Sequence, residues 1–249
     1  MCIGVLPILY ISGYQFSRMG NLEELRSWCL DTADSMGYDI KGTIIIANEG
    51  INFSLCGPSP ELEEYYSALS KRANLVCSIR RSYATRIGFR RFLVKIKPEI
   101  VSYRCREATY RPLPYLSVED FHRWMSMSSD DAGTPLCLVD VRNDFEYQMG
   151  TFSGAVNVSI NSFGEFSRKM SRHLLKENST VVTFCTGGIR CEKASHWFYS
   201  EGISAYQLDG GIIRYLEVFG QGFFQGTCFV FDGRITLDGS LSPTNPYYL

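Results

Sequence analysis

The sequence predicts two α/β domains in series. A ferredoxin-like split β-α-β-β-α-β unit stands at the N-terminus, and a parallel-sheet α/β domain follows it. Three observations carry this. Strand and helix patterns alternate in that order over the first hundred residues, a proline-rich stretch interrupts them, and buried strands each followed by a polar or helical segment fill the rest. The domains are read as 1–105 and 116–226, joined by a linker over 106–115 and followed by an extension over 227–249.

In the first domain "VLPILYI" is a strand. "NLEELRSWCLDTADSMG" is a helix with Asn21 as N-cap, Leu22, Leu25 and Cys29 on one face, and Gly37 as its stop. "GTIIIANEGINFSLCG" gives two strands around the "NEG" turn, where Gly50 supplies a permissive backbone and Glu49 is either a turn residue or a site residue. "SPELEEYYSALSKRAN" is a second helix, begun near Ser59 with acidic residues in its first turn. "FRRFLVKIKPEIV" is read as the closing strand. After the extended "TYRPLPYLSVEDF", Ser117 caps a helix and Asp120 completes a capping-box pattern. "PLCLVDV", "TVVTF" and "SAYQL" are the strands of a parallel sheet, and catalytic groups in such sheets lie at the carboxyl ends of the strands. Three polar clusters fall there: "DVRNDFE", "CTGGIR" and "DGG".

Hydrophobic content of 45%, charged content of 20% and a net charge of −1 are those of an ordinary globular chain. No apolar run reaches the length of a membrane span and no secretory signal opens the sequence, so a cytoplasmic protein with no membrane partner is expected. The nine cysteines are then reduced thiols, with Cys2, Cys29, Cys77 and Cys137 packed as small hydrophobes. No C-x-x-C pair or metal-ligand spacing of His122, His173 and His196 is found, so no metal site is assigned. Nothing in the sequence specifies an oligomeric state.

The loop Cys185-Thr186-Gly187-Gly188-Ile189-Arg190 is the main candidate site. Its glycines let backbone N–H groups curl toward the sulfur, the following helix points its positive end there, and Arg190 adds charge, all of which favour the thiolate. Arg190 faces either the pocket or a structural carboxylate. Cysteine phosphatases place arginine six positions after the thiol; here it is the fifth, and Cys191 is the sixth, so the loop suits a smaller anion such as a persulfide sulfur. Asp140 and Arg142 are supporting residues that brace the loop. Asp209 could brace or react. Cys191 is either a resolving thiol or a helix-start residue facing away.

Strand, cysteine loop and helix resemble the active-site loop of the rhodanese family, and "DVRNDFEYQMGTFSGAVNV" resembles its Asp-x-Arg motif. "CTGGIRCEK", "YQLDGGIIRYLE", "CFVFDGR", "GTIIIANEGIN" and "KPEIV" together resemble the bacterial rhodanese-type tRNA uridine hydroxylases along nearly the whole chain. The resemblance implies a rhodanese-like second domain and oxygen-dependent conversion of the wobble uridine (position 34) to 5-hydroxyuridine. Molecular oxygen is then a co-substrate, Cys185 the essential cysteine carrying a thiolate or persulfide, and the tRNA anticodon loop the partner. Two departures stand out. Gly233 occupies a position where an acidic residue is expected, and the chain ends at "NPYYL" where many members continue into a cysteine-rich tail.

The charge distribution agrees independently. Between Arg80 and Arg111 ten basic residues (Arg80, Arg81, Arg86, Arg90, Arg91, Lys95, Lys97, Arg104, Arg106 and Arg111) face only Glu99 and Glu107, a net +8 that leaves the remainder at −9. Tyr83, Phe89, Phe92, Tyr103 and Tyr110 are interleaved. Arginine forks hold phosphates and aromatics stack on unpaired bases, so this segment is the candidate RNA-binding surface, with Arg80, Arg81, Arg86, Arg90, Arg91 and Lys95 foremost. A solvated basic edge is the alternative for it. For the chain as a whole, two other functions compete with the hydroxylase: a persulfide sulfurtransferase acting on a small molecule or carrier protein, and a non-catalytic RNA-binding adaptor. No flavin or nucleotide fingerprint and no 2-His-1-carboxylate set is read, so no cofactor is identified. Addition of Cys185 to C6 of the uracil, which makes C5 electron-rich toward oxygen, is the expected chemistry.

Overall fold

The computed structural model describes residues 8–104 and 111–244. Cys2, Arg106, Tyr110, half of the expected 106–115 linker and the 245–249 end of the extension lie outside the described residues. The chain divides into two units. The first runs to Val101 and takes in Phe231–Ile235; the second runs from Ser102 to Val230 and resumes over Thr236–Thr244. Tyr103 groups with the second unit because its buried ring packs on Phe163 and Phe166, with centroids 5.5 and 6.4 Å away.

The first unit contains β1 (Ile8–Phe16), α1 (Leu22–Met36), β2 (Lys41–Ala47), β3 (Gly50–Pro58), α2 (Ser59–Ala73), β4 (Arg80–Ala84) and β5 (Phe92–Ile96). Its sheet order is β4-β1-β3-β2-β5, with β1 antiparallel to β3 and β4, β2 antiparallel to β3, and β5 parallel to β2. The split unit is therefore present, but its closing strand is β4 rather than the 89–101 segment, whose strand β5 is an addition at the opposite edge. The reason is visible in the side chains. Edge strands carry charges that discourage further pairing, and only Ala84 of "RRSYA" is buried, so the pattern does not read as a strand. Asn21 Oδ1 caps α1 by accepting from the Glu24 N–H at 3.2 Å, and Gly37 ends it at φ 64°. Ile44, Ile46, Ile51, Phe53 and Leu55 form a core with Cys29, Leu62, Tyr65 and Leu69 of the two helices.

Tyr10, Cys56 and Ala84 form a second, smaller cluster with Ile87 and Phe89 against them. The Tyr10 hydroxyl accepts from the Gly88 N–H (2.6 Å) and donates to the Arg86 carbonyl (3.0 Å), which pins the β4–β5 connection. The Arg234 guanidinium lies 4.1 Å over the Tyr10 ring, paired with Asp232 and donating to Ser82 Oγ at 2.7 Å. A Cβ on Gly233 would stand 1.8 Å from the Gly88 carbonyl oxygen. Close backbone approach thus accounts for glycine at the position where an acidic residue is expected.

The second unit contains β6 (Tyr115–Leu116), α3 (Val118–Met127), β7 (Leu136–Asp140), α4 (Asp144–Met149), β8 (Gly150–Phe152), β9 (Val156–Asn157), α5 (Phe166–Lys169), β10 (Thr180–Phe184), α6 (Ile189–Ser200), β11 (Ala205–Leu208), α7 (Gly211–Phe219), β12 (Phe224–Gly226), β13 (Cys228–Phe229) and β14 (Thr236–Leu237). Its main sheet, β6-β11-β10-β7-β9, is parallel throughout. The carboxyl ends of β7, β10 and β11 consequently share one edge. Ser117 Oγ accepts from the Asp120 N–H at 3.0 Å and donates to Asp120 Oδ2 at 2.8 Å; the carboxylate engages the capping hydroxyl.

Candidate active site

Cys185 is the first residue beyond β10, and Gly188, at φ 100°, is the N-cap of α6. The Gly188 N–H points back at Cys185 Sγ, 3.1 Å away, so the loop curls around the sulfur as its glycines predict. Helix α7 braces the loop from behind: Ile212 N–H donates to the Cys185 carbonyl (2.9 Å) and Ile213 N–H to that of Thr186 (3.0 Å). Gly211, the residue before them, has φ 63°, and a Cβ there would lie 2.4 Å from the Cys185 carbonyl oxygen. The important residue of "DGG" is therefore its second glycine. Asp209, the residue of that cluster expected to brace or react, is exposed, and its backbone N–H bonds the Leu116 carbonyl at 2.9 Å.

Two buried ion pairs stand beside the loop. Arg190 makes a fork on Glu146, Nη1 to Oε2 at 2.6 Å and Nη2 to Oε1 at 2.8 Å, and reaches Thr186 Oγ1 at 3.3 Å. Its guanidinium thus faces a structural carboxylate. That carboxylate lies inside "DVRNDFE", where nothing in the string distinguishes it from its acidic neighbour Asp144. Arg142 binds Asp140 through Nε (2.9 Å) and Nη2 (2.6 Å) and donates to the Gly150 carbonyl; Thr151 Oγ1 donates to Asp140 Oδ2 at 2.9 Å. Both residues have bracing contacts. Cys228 is buried beside this cluster, and burial, against the opposing Arg142 charge, pushes its thiol up to about 12.

The Cys185 thiol is wholly buried, which by itself opposes ionisation. A hydrogen bond with the Cys191 thiol, the Arg190 charge and the backbone N–H groups of Arg190 and Gly188 outweigh this and lower it to about 6. Cys191 is buried as well, and burial together with the neighbouring Cys185 thiol and its charge raises its thiol well above the ordinary range. Cys29 and Cys137 are buried and Cys77 is half-buried.

The basic segment is spread out by the fold. Arg80 and Arg81 lie on β4 at one edge of the first sheet, Lys95 on β5 at the other, and Arg86, Arg90 and Arg91 in the connection between. All but the half-buried Arg80 are exposed, and Arg81 forks onto Glu63 at 2.6 and 3.0 Å. Of the interleaved aromatics Tyr83 is exposed, whereas Phe92 packs edge-on to Tyr65 at 5.7 Å and Tyr103 is buried. Glu49 Oε1 accepts from the Ile100 N–H at 2.9 Å, a turn-fixing contact. His122 stacks on Phe219, and His196 lies edge-on to Tyr103. Among the described residues no cluster of three His, Cys, Asp or Glu could hold a metal ion, and no helix is long and apolar enough to cross a membrane.

Residues 8–100 match the model of the UPF0176 acylphosphatase like domain, and residues 118–217 that of the rhodanese-like domain. Proteins named tRNA uridine(34) hydroxylase are similar over almost the whole length. That of Cupriavidus taiwanensis is 38% identical over 248 residues, spanning 97% of this chain and 86% of its own. That of Xanthomonas campestris pv. campestris strain 8004 is 38% identical over 239 residues, 93% of each chain. That of Bordetella petrii is 38% identical over 243 residues, 95% of each.

Proposed function

Because the chain belongs to the tRNA uridine(34) hydroxylase family, we propose that it hydroxylates the wobble uridine of tRNA to 5-hydroxyuridine in the cytoplasm, with oxygen as co-substrate and Cys185 as nucleophile. The single observation that carries the chemistry is an acidified thiol cradled by the Gly188 N–H at the carboxyl edge of a parallel sheet. Thiolates add readily to C6 of uracil, since the electron pair is delocalised through C5 onto O4. The S–C6 adduct is electron-rich at C5, which bonds to oxygen. Two electrons and two protons from an external reductant then cleave the O–O bond, leaving a hydroxyl on C5 and releasing water. Loss of the C5 proton with departure of the Cys185 thiolate restores the double bond. A persulfide on Cys185 would attack in the same sense through its outer sulfur. Asp140–Arg142 and Glu146–Arg190 serve this reading by holding the loop.

Recognition of the anticodon loop falls to the basic residues of the first unit, the half-buried Arg80 and the exposed Arg81, Arg86, Arg90, Arg91 and Lys95, whose cations suit phosphates. The test is nucleoside mass spectrometry of tRNA from cells lacking the gene, restored with wild type or Cys185→Ala. Wild type restores 5-hydroxyuridine and the variant does not. A 5-hydroxyuridine level independent of the gene would end the hydroxylase reading.

A further inference from the structure

We propose that Phe145 is the platform on which the target uracil stacks at the mouth of the cysteine loop. The inference rests on the hydroxylase reading and adds a base-binding residue to it.

Helix α4 has its polarity inverted. It buries Glu146 completely and leaves Phe145 and Met149, one turn apart, 42% and 39% exposed. Amphipathic helices do the opposite, because burying a carboxylate costs solvation and exposing a large apolar side chain forgoes its burial. The buried carboxylate is accounted for by its fork onto Arg190. Core packing does not account for the exposed ring.

Two connections fix Phe145 beside the loop. Its chain neighbour Glu146 holds Arg190, which donates to Thr186 Oγ1 at 3.3 Å. Its ring meets that of Phe229 with centroids 5.0 Å apart and planes at 88°, and the Phe229 carbonyl accepts from the same Thr186 hydroxyl at 3.4 Å. Thr186, the residue after the nucleophile, is thus tied to both members of the aromatic pair. With Gly187 and Ile189 it is half-buried, whereas Cys185, Gly188 and Arg190 are buried, so a base enters past these three.

A T-shaped pair leaves each ring at least one face that its partner does not cover. An aromatic face holds a planar base by stacking, and continuity with the nucleophile's loop selects the substrate base as occupant. Stacking covers one face of the uracil. The other is left for the sulfur, which adds to C6 perpendicular to the ring.

To test this, the intact Cys185→Ala protein is irradiated with a tRNA carrying 5-iodouridine at position 34, since iodouracil cross-links to an aromatic ring stacked on it. Peptide mass spectrometry is expected to place the cross-link on Phe145. A cross-link to another residue, or none at all, overturns the platform. In the same background Phe145→Leu, which keeps apolar bulk but no ring, weakens tRNA binding about tenfold, and Phe145→Tyr stays within about twofold. A leucine variant that binds like its parent, or a tyrosine variant that fails with it, also overturns the assignment. Unfolding midpoints are measured alongside; a merely structural role moves the midpoints and puts no cross-link on Phe145. A 5-hydroxyuridine level independent of the gene rejects the hydroxylase reading, whereas a gene-dependent level with the cross-link elsewhere rejects the platform alone.

Discussion

Gly211→Ala tests whether α7 fixes the cysteine loop. The new Cβ would start 2.4 Å from the Cys185 carbonyl oxygen, 2.9 Å from that of Thr186 and 3.0 Å from the Gly187 nitrogen. Ordinary contact begins at 3.4 Å, so loop or helix must retreat by roughly 1 Å, and these atoms are backbone with no flexible end to swing aside. The φ of 63° adds roughly 1–2 kcal/mol for a residue with a side chain. With the displaced neighbours the total is about 2–4 kcal/mol, a fall of roughly 5–15 °C in the midpoint of the second unit by calorimetry. Retreat of the Cys185 backbone also loosens the Gly188 N–H on the sulfur, so the thiolate inflection rises from about 6. The control is Gly187→Ala. That glycine lies inside the reactive loop, yet nothing is within 4 Å of its Cβ position and its φ is outside the left-handed region. It should change stability by less than about 0.5 kcal/mol. Equal damage from the two substitutions, or greater damage at Gly187, would refute the bracing role of α7.

Three further outcomes are expected. Glu146→Gln removes the carboxylate charge that forks onto the buried Arg190 guanidinium, and breaking such a pair costs about 3–5 kcal/mol, read from urea unfolding of the second unit; a loss under about 1 kcal/mol would show that the pair braces nothing. Stability should fall in alkali, because burial raises the Cys29 thiol to about 11 and the Cys228 thiol to about 12. The fold retains protons that the unfolded chain releases, so this contribution is complete below the ordinary thiol value and is lost as pH climbs towards 11 and 12, by up to about 1.4 kcal/mol per unit for each thiol; a flat urea-unfolding series from pH 8 to about pH 11 contradicts it. Replacing Arg86, Arg90 and Arg91 together by glutamine should weaken tRNA binding and reduce its salt slope by about 0.7 for each phosphate no longer neutralised, while Arg81→Gln does less because Glu63 already engages Arg81; an unchanged slope removes the three arginines from the interface.

Local signals are legible in the residues alone. Asn21 and Gly37 bound α1, Ser117 opens α3, and the glycines after Cys185 turn an amide onto its sulfur. Each depends on neighbours within a few residues, where periodicity and capping chemistry act. Edge strand β4 is not legible in this way, because the sheet supplies its partner from seventy or so positions away and its own residues are mostly solvent-facing.

The two-domain α/β architecture, the cysteine loop at a strand end and the family resemblance belong to the sequence by itself, because they are written in short contiguous strings. Whether a charge meets a substrate or another side chain is written nowhere in such a string. Only the tertiary structure gave Arg190 to Glu146, forty-four positions earlier, buried Tyr103, packed the half-buried Phe92 on Tyr65, and brought Gly233 onto Gly88 so closely that no side chain fits between.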